Sequence, residues 1–259
     1  MKKFSISVCI VSGAEAHRIA RTLESVASWA SEIVVVLNDE VRDGTEEIAQ
    51  QFGAKVFREP WKGFIGQKNS AADKCAEPWL LNLDADEVVS PQLAGEIRQV
   101  AGRLDGPYAA YEFPRCTFYA GRWIRHGDWY PDRVRRLYRK GTAHWAGEEP
   151  HAHLRVNHPI GRLDPDLLHY SNESIDRTLD KIGPYSTAFV RHQLARGRTT
   201  TFLDLAVRPF WKFFRAYFLR LGFLDGWPGY YIAWMNAFST VTRYAKVLEA
   251  QSGQRKAET

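Results

Sequence analysis

Short apolar runs alternate with segments of helical periodicity along the first ninety residues. The apolar runs are typical of buried strands and lie at 5–11, 33–37, 54–57 and 79–83. Apolar spacing suited to helices lies between them, at 17–29, 45–52 and 67–75. Strands and helices that alternate at this spacing predict a mainly parallel sheet with right-handed crossovers, flanked by helices.

The fourth predicted strand ends in acidic residues. Leu83 is followed by Asp84, Asp86 and Glu87, and ligands of open α/β sheets bind at the carboxyl ends of the strands. Two Asp residues at i and i+2 offer hard oxygen ligands to Mg²⁺ or Mn²⁺, which commonly bridge the phosphates of a substrate. The alternative is a solvated acidic turn before a helix that begins near Pro91.

The motifs occur in a recognisable order. They are the strand at 7–11, the strand at 33–36 leading to 43–45 (Asp-Gly-Thr), 66–69 (Gly-Gln-Lys-Asn) and 83–87 (Leu-Asp-Ala-Asp-Glu). This order resembles family-2 glycosyltransferases of the GT-A fold. A second set of motifs at 121–124, 126–132, 136–139, 169–171 and 222–226 is similar to the subgroup of lipopolysaccharide core β-1,4-glucosyltransferases.

The resemblance implies an α/β, Rossmann-like GT-A catalytic domain over 1–174 and a helical, membrane-surface-associated extension over 175–259. It implies inverting transfer of a hexose from a nucleotide sugar, UDP-glucose or a close relative. The acceptor would be a lipid-linked glycan such as the lipopolysaccharide inner core, met at the cytoplasmic face of the membrane. The expected metal is Mg²⁺ or Mn²⁺.

By the same resemblance, site residues can be assigned at the strand ends. Asp84 would face the ribose or the metal, and Asp86 would coordinate the metal. Lys68 and Arg136 would lie near the donor diphosphate. A surface position for Lys68 on its helix is the alternative.

The nucleobase pocket departs from the family pattern. The base-contacting Asp of the family falls on Asn38 here, and Asp39 is adjacent. An Asn amide both donates and accepts hydrogen bonds, so Asn38 can still pair with uracil. Ordinary turn chemistry at a strand end is the alternative for both residues.

The general base that an inverting transfer requires is also displaced. In related enzymes a His-Glu pair follows the basic strand, whereas here Ala152 stands where the Glu would be. Glu149 is the preferred replacement, with Glu148, Asp128 and Asp132 as alternatives, and impaired activity is a further possibility.

Two histidines follow at strand spacing. His151 matches the family motif, and alternation would place His153 on the same strand face. Either could reach the metal or a phosphate, or serve a structural role.

The charge distribution adds information on partners. Net charge is +5, and residues 191–220 hold seven Lys or Arg and a single acid, Asp204, interleaved with aromatic side chains. This pattern predicts a helix lying on anionic lipid; helices packed on the catalytic domain are the alternative. The charge alone would also suit nucleic acid, but no nucleic-acid motif accompanies it. The uncharged run 226–242 has 17 residues, whereas a span needs about 20.

A second basic cluster lies at 122–140. In a regular strand, alternation would place Arg133, Arg135, Leu137 and Arg139 on one side. That face could hold the donor diphosphate or phosphates of an acceptor.

Three scattered cysteines, with no Cys-x-x-Cys pair, predict neither a zinc site nor a disulfide framework and fit a reducing compartment. The apolar run after Met1 is short and resembles a first strand more than a signal segment.

Two other functions stay open from the sequence. The missing Glu at Ala152 permits a catalytically silent relative that binds a nucleotide sugar or a glycan. A nucleotidyltransferase also combines a parallel sheet with metal-binding carboxylates. Such enzymes carry a Gly-rich basic loop after the first strand, and residues 12–15 are poor in both features.

Overall fold

The computed structural model describes residues 3–103, 106–149, 151–171 and 174–257, with the side chains of residues 151, 177 and 254–257 left aside. The strands are β1 Phe4–Ser12, β2 Ala30–Asn38, β3 Lys55–Glu59, β4 Trp79–Asp84, β5 Glu87–Val89, β6 Ala110–Tyr119, β7 Arg122–Ile124, β8 Asp132–Arg139, β9 Ala143–Glu148, β10 His151–Val156, β11 Ile160–Arg162 and β12 Leu167–His169. The helices are α1 Ile19–Ala27, α2 Thr45–Gln51, α3 Gly63–Asp73, α4 Pro91–Ala101, α5 Ile175–Ala195, α6 Phe202–Phe214 and α7 Gly226–Ala257.

The chain forms two compact units. The first comprises Met1–Cys116 and Asp132–Tyr170, and the second comprises Thr117–Pro131 and Ser171–Thr259. The predicted α/β fold and the C-terminal helices are both confirmed. The second unit also takes in the segment 117–131, which the sequence-based division at 174 assigned to the catalytic domain.

The sheet of the first unit has a parallel half and an antiparallel half. Its strand order is β3-β2-β1-β4-β8-β6-β12-β5. The strands β3, β2, β1 and β4 run parallel, whereas β8 is antiparallel to both β4 and β6. Apolar residues of β1, β2 and β4 are buried on both faces. This explains why their sequences are continuous apolar runs rather than alternating ones.

Helix α3 starts earlier than its sequence pattern predicts. It begins at Gly63, whereas the apolar spacing suggested residue 67. Gln67 and Lys68 are both buried on the inner face of this helix. The first turn contains two glycines, Gly63 and Gly66, and its Phe64 is exposed, so neither helix propensity nor apolar spacing marks the start of the helix.

The parallel register brings three loops to one edge of the sheet. Asp84 pairs with Val11, and Ser12 pairs with Leu37, so the residues after β1, β2 and β4 emerge together. The loops after β1 and β2 are also tied to each other. Asp43 accepts hydrogen bonds from the Thr45 amide and from the Ala16 amide at 3.1 and 3.0 Å.

Strand β8 contains a bulge that changes which side its arginines face. Tyr111 pairs with Leu137 and Glu112 pairs with Arg135, which leaves Arg136 as an extra residue in β8. The predicted strict alternation through Leu137 and Arg139 is therefore wrong. A bulge of this kind re-aims a side chain, and it lets the neighbouring Arg135 and Arg136 line the same cavity.

The second unit is built around helices α5, α6 and α7. Thr201 and Asp204 form a capping box at the start of α6. Asp225, which is buried, accepts hydrogen bonds from the backbone amides of Arg125 and His126 and so ties the segment 117–131 to the helices of this unit. Aromatic residues of α6 and α7 pack together, with Phe213 and Trp234 ring centroids 4.7 Å apart.

Many other apolar side chains of the second unit are exposed. On and just after α6 they include Phe202, Leu203, Val207, Phe210, Trp211, Phe214 and Phe218. In the described part of the chain, no helix combines the length and the apolar character that crossing a membrane requires.

Candidate active site

Asp84, at the end of β4, is held between two cations. Lys68 Nζ lies 2.7 Å from Oδ1 and Arg136 Nη2 lies 2.5 Å from Oδ2. Burial alone would raise the pKa of Asp84, but the charges of Arg136 and Lys68 outweigh it and hold this pKa well below its usual range. Burial, together with the charge of Arg136, lowers the pKa of Lys68 although Asp84 opposes the shift.

Glu87 extends this network into the core. Its side chain is fully buried and accepts from Arg136 Nη2 at 2.7 Å and from Arg115 Nη1 at 3.2 Å. Its second oxygen accepts the Asp84 amide at 3.0 Å, which fixes the turn that presents Asp84. Arg115 also donates to Asp132 at 2.7 Å. Buried charges are tolerated only when paired in this way.

A cavity of about 600 Å³ adjoins the network. Its walls come from α3, β4, β6, β8, β9 and β10, and the lining residues are Phe64, Lys68, Asp84, Glu112, Arg115, Arg133, Val134, Arg135, Arg136, Trp145, Ala152, His153 and Leu154. The Trp145 ring lies 4.5 Å from Lys68 Nζ and 5.5 Å from Arg136 Cζ. A positively charged cleft with an aromatic wall suits an anionic sugar derivative.

Asp86 has different partners from Asp84. Its Oδ2 lies 3.4 Å from His169 Nε2 and 3.3 Å from Arg18 Nη1. The amide of Tyr170, the residue after β12, donates to the Asp86 carbonyl at 2.9 Å. This hydrogen bond holds the end of β12 against the turn that contains Asp86. A carboxylate oxygen and an imidazole nitrogen that converge are both possible ligands of a divalent cation.

The nucleobase candidates lie at the shared sheet edge. Asn38 is the last residue of β2, and its Oδ1 accepts the Glu40 amide at 3.3 Å. The Asp39 carbonyl accepts from Arg58 at 3.1 Å. Asn38 thus takes part in turn bonding and Asp39 is bonded to β3, and their role toward a base stays a prediction.

Glu149 caps a helix. Its Oε1 accepts the backbone amide of Ile65 at 2.8 Å, in the first turn of α3. Gly63 makes the approach possible, because it has φ of +79° and a Cβ there would lie 2.7 Å from Glu149 Oε1. Carboxylates are favoured at this position of a helix. The structure therefore gives Glu149 a structural role that the sequence did not suggest.

The other candidates around the hairpin of β9 and β10 differ in whether they line the cavity. Glu148 is exposed and pairs across the hairpin with His151. The side chain of His151 lies outside the described residues. Ala152 and His153 both line the cavity, so the position of the absent Glu is on the cavity wall.

Asp128 lies in the second unit, where three cations surround it. Lys212, Arg215 and Arg220 approach its carboxylate at 2.8, 2.8 and 3.2 Å. Only 6% of the Asp128 side chain is exposed. This arrangement ties the segment 117–131 to α6 and the π-helical turn Arg215–Leu219 that follows it.

Several residues of the network escaped the sequence analysis. Arg115, Glu87 and His169 received no role, although His169 lay within a recognised motif. The signal for Arg115 is an arginine in a strand that is otherwise largely buried. Trp145 received no role either, and its aromatic side chain three positions before Glu148 is the signal that the sequence offers.

Comparisons with known proteins identify the family of this chain. Residues 7–158 match the model of Glycosyl transferase family 2. An uncharacterized glycosyltransferase of Rickettsia felis is 32% identical over 95% of this chain and 90% of its own length. The chain therefore belongs to glycosyltransferase family 2. This membership argues against the nucleotidyltransferase alternative.

Other relatives are more distant. The lipopolysaccharide core biosynthesis glycosyltransferase LpsC of Rhizobium meliloti is 25% identical over 94% of each chain. Mannosyltransferase PcManGT from Pyrobaculum calidifontis, solved with GDP-Man and Mn²⁺, has a TM-score of 0.56 at 10% identity over 95% of this chain and 87% of its own. TarS of S. aureus, solved with UDP-GlcNAc, has a TM-score of 0.50 at 16% identity over 93% and 82%. The fold is GT-A.

Proposed function

We propose that this glycosyltransferase transfers a hexose, with inversion, from UDP-glucose or a close relative to a lipid-linked glycan such as the lipopolysaccharide inner core. The observation that carries the donor assignment is the contact of Asp84 with Lys68 and Arg136 at the carboxyl edge of the parallel strands, beside the cavity. The similarity to LpsC supports the acceptor class, and the complex of TarS with UDP-GlcNAc gives precedent for a UDP-sugar on this fold.

Lys68 and Arg136 would assist departure of the nucleoside diphosphate. Both cations already face Asp84, so their charges are oriented before a donor arrives, which lowers the reorganisation that charge development requires. Asn38 and Asp39 would contact the base, because they lie at the end of β2, at the same edge of the sheet as Asp84, with β1 between β2 and β4.

Asp86 and Asp84 would hold Mg²⁺ or Mn²⁺, with His169 as a third candidate ligand. In the described ranges, no three His, Cys, Asp or Glu side chains converge on one point. Mg²⁺ sites are commonly completed by one or two carboxylates and the phosphates of the substrate, and the carboxylates of Asp86 and Asp84 fit such a donor set. When bound, the cation would supply Lewis-acid stabilisation of the leaving diphosphate. His151 stays a further candidate from the sequence.

Glu149 is the proposed base, with Glu148 as the alternative. Its carboxylate can accept a proton only if it leaves the Ile65 amide or uses its second oxygen. Glu149 would thus have to cap α3 and accept a proton. This conflict favours, as a second candidate function, a catalytically silent relative that binds donor or glycan without transfer.

The proposed location is the cytoplasmic face of an anionic membrane. The exposed aromatic residues of α6 together with Arg and Lys on the same helix support docking on lipid.

Calorimetric titration with a panel of UDP- and GDP-sugars, with and without Mn²⁺, tests the proposal. Metal-dependent binding of one nucleotide sugar by the wild type and by Asp73→Ala, an exposed control on α3, is expected, and Asp86→Ala should lose it. A transfer assay with lipopolysaccharide core acceptors follows for the donor that binds. No binding of any donor would refute the donor site, and binding without transfer would favour the silent relative.

A further inference from the structure

The cavity carries more positive charge than the network at Asp84 uses. Among its described lining residues, Lys68, Arg115, Arg133, Arg135 and Arg136 stand against the carboxylates of Asp84 and Glu112. Lys68, Arg136 and Arg115 are matched by Asp84, Glu87 and Asp132 in direct ion pairs. The excess therefore resides on Arg133 and Arg135.

The ion partners of these two arginines are weak ones. Arg133 Nη2 lies 3.5 Å from an Asp164 carboxylate that is 91% exposed. Arg135 Nε lies 3.9 Å from Glu112 Oε2, while the other oxygen of Glu112 accepts from Arg162 at 2.9 Å. Ion pairs at such distances contribute little energy when the arginine side chains are 30% and 43% exposed, as those of Arg133 and Arg135 are. Both guanidinium groups are thus available to an anion.

Their placement suits a single anionic group. Arg133 and Arg135 are two positions apart on β8 and share a face, which separates their Cα atoms by roughly 6.5 Å. Arg133 Nη1 also donates to the Leu163 carbonyl at 3.3 Å, which restrains its side chain. Two forked guanidinium groups at this spacing can bind one phosphate or carboxylate through several charge-assisted hydrogen bonds.

We propose that Arg133 and Arg135 form an acceptor subsite that binds an anionic substituent, a phosphate ester or a carboxylate, of the acceptor glycan. The bulge at Arg136 explains how this subsite and the donor site share one cavity. Arg136 is turned to Asp84, and Arg133 and Arg135 stay open to a second anion. The assignment to an acceptor rests on the proposed transferase function, whereas anion binding does not.

The first test observes the guanidinium groups directly. Arg Nε–Hε signals in ¹H–¹⁵N spectra, assigned with Arg133→Gln and Arg135→Gln, are followed as inorganic phosphate, acetate or chloride is added at constant ionic strength. Saturable shifts of both signals with phosphate or acetate and none with chloride are expected, and the stronger ligand identifies the anion class. Equal responses to chloride would refute the subsite whatever reaction the protein catalyses.

The second test uses transfer. Core oligosaccharides of lipopolysaccharide are supplied before and after phosphatase treatment, and Arg103→Gln, an exposed arginine outside the cavity lining, serves as control. The double variant Arg133→Gln/Arg135→Gln should raise the acceptor KM at least ten-fold, with donor affinity within two-fold of the wild type. For a phosphate-bearing acceptor, phosphatase treatment should raise KM similarly for the wild type and have little further effect on the double variant. An acceptor KM that is unchanged in the double variant would contradict the subsite. Failure of the wild type to bind any donor would instead contradict the proposed function.

Discussion

Lys68 Nζ lies 2.7 Å from Asp84 Oδ1, although the two residues come from a helix and a strand sixteen positions apart. Lys68 is 7% exposed. The contact holds the ammonium group of Lys68 in a fixed orientation inside a cleft that is otherwise open to solvent. A donor diphosphate would therefore meet a cation whose side-chain entropy has already been lost.

Arg136→Met should destabilise the fold as well as the site. The change removes one of the two arginines bonded to the fully buried Glu87, and breaking a buried ion pair costs about 3–5 kcal/mol. Urea denaturation of this variant should show a lower free energy of unfolding by about 3 kcal/mol. Arg155→Met, at an exposed position of β10, should stay within about 0.5 kcal/mol of the wild type.

Glu59 should contribute a pH-dependent part of the stability. Burial would raise its pKa, but hydrogen bonds from Lys74, Ser70 and Lys62 outweigh it and lower the pKa to about 2. Because the folded-state pKa is depressed, the contribution is complete above the unfolded-state pKa of about 4.5 and is lost as the pH falls toward 2.

The corresponding measurement compares Glu59→Gln with the wild type in urea at pH 7 and pH 2. The variant should be less stable by about 1 kcal/mol at pH 7, since partial exposure weakens these pairs, and equal to the wild type at pH 2. The exposed Glu24→Gln is the control. A difference that persists at pH 2 would mean that packing, not charge, is lost.

Glu149 can be tested for its two roles separately. Glu149→Gln keeps an oxygen that accepts the Ile65 amide, whereas Glu149→Ala removes it and should cost about 1 kcal/mol of stability. If Glu149 is the base, kcat falls by at least about 100-fold in both variants. A kcat that is preserved in Glu149→Gln would restrict this residue to capping α3.

Asp128→Asn should weaken the second unit. Its three cationic partners would keep their mutual repulsion without the carboxylate that now compensates it. We expect the free energy of unfolding to fall by about 1–2 kcal/mol. The measurement is denaturant unfolding monitored by the fluorescence of tryptophans in this unit. Asp180→Asn, an exposed change on α5, is the control, and an equal effect of both would exclude a special role for the cluster.

Replacing exposed aromatic residues of α6 should reduce lipid binding without unfolding. Phe210 and Trp211 are 71% and 53% exposed, so the Phe210→Ser/Trp211→Ser variant loses few internal contacts. Its partition onto vesicles that contain phosphatidylglycerol should fall at least ten-fold, and its circular dichroism should match the wild type. Tyr108→Ser in the first unit is the control. Wild-type binding that is equal on neutral vesicles would contradict the electrostatic part of the proposal.

The strand pattern and the acidic strand end could be read from the sequence because they depend on local chemistry. Continuous apolar runs report burial on both faces, and Asp84 follows the last apolar residue of its strand. The network around Asp84 could only partly be predicted, since Arg115 and Arg136 reach it from β6 and β8. Their approach depends on long-range pairing and on an irregular register, which a single sequence does not encode in any short window.

The role of Glu149 was hidden for a related reason. A helix cap usually comes from the residue just before the helix, whereas here it comes from a hairpin 84 positions later. The membership of segment 117–131 in the second unit was hidden as well. In the sequence this segment falls between β6 and β8, and no change of composition separates it from them.

Because β8 contains one extra residue, the charge of the cavity depends on the number of residues in this strand. Deleting one residue between Arg133 and Arg136 would restore regular pairing with β6, and one or more arginines would then turn toward the apolar face beside Phe113. Substitution within this strand can therefore change the charge of the cavity one side chain at a time. A one-residue insertion or deletion would instead exchange the two faces of part of the strand at once, so the length of β8 is tied to its pairing with β6.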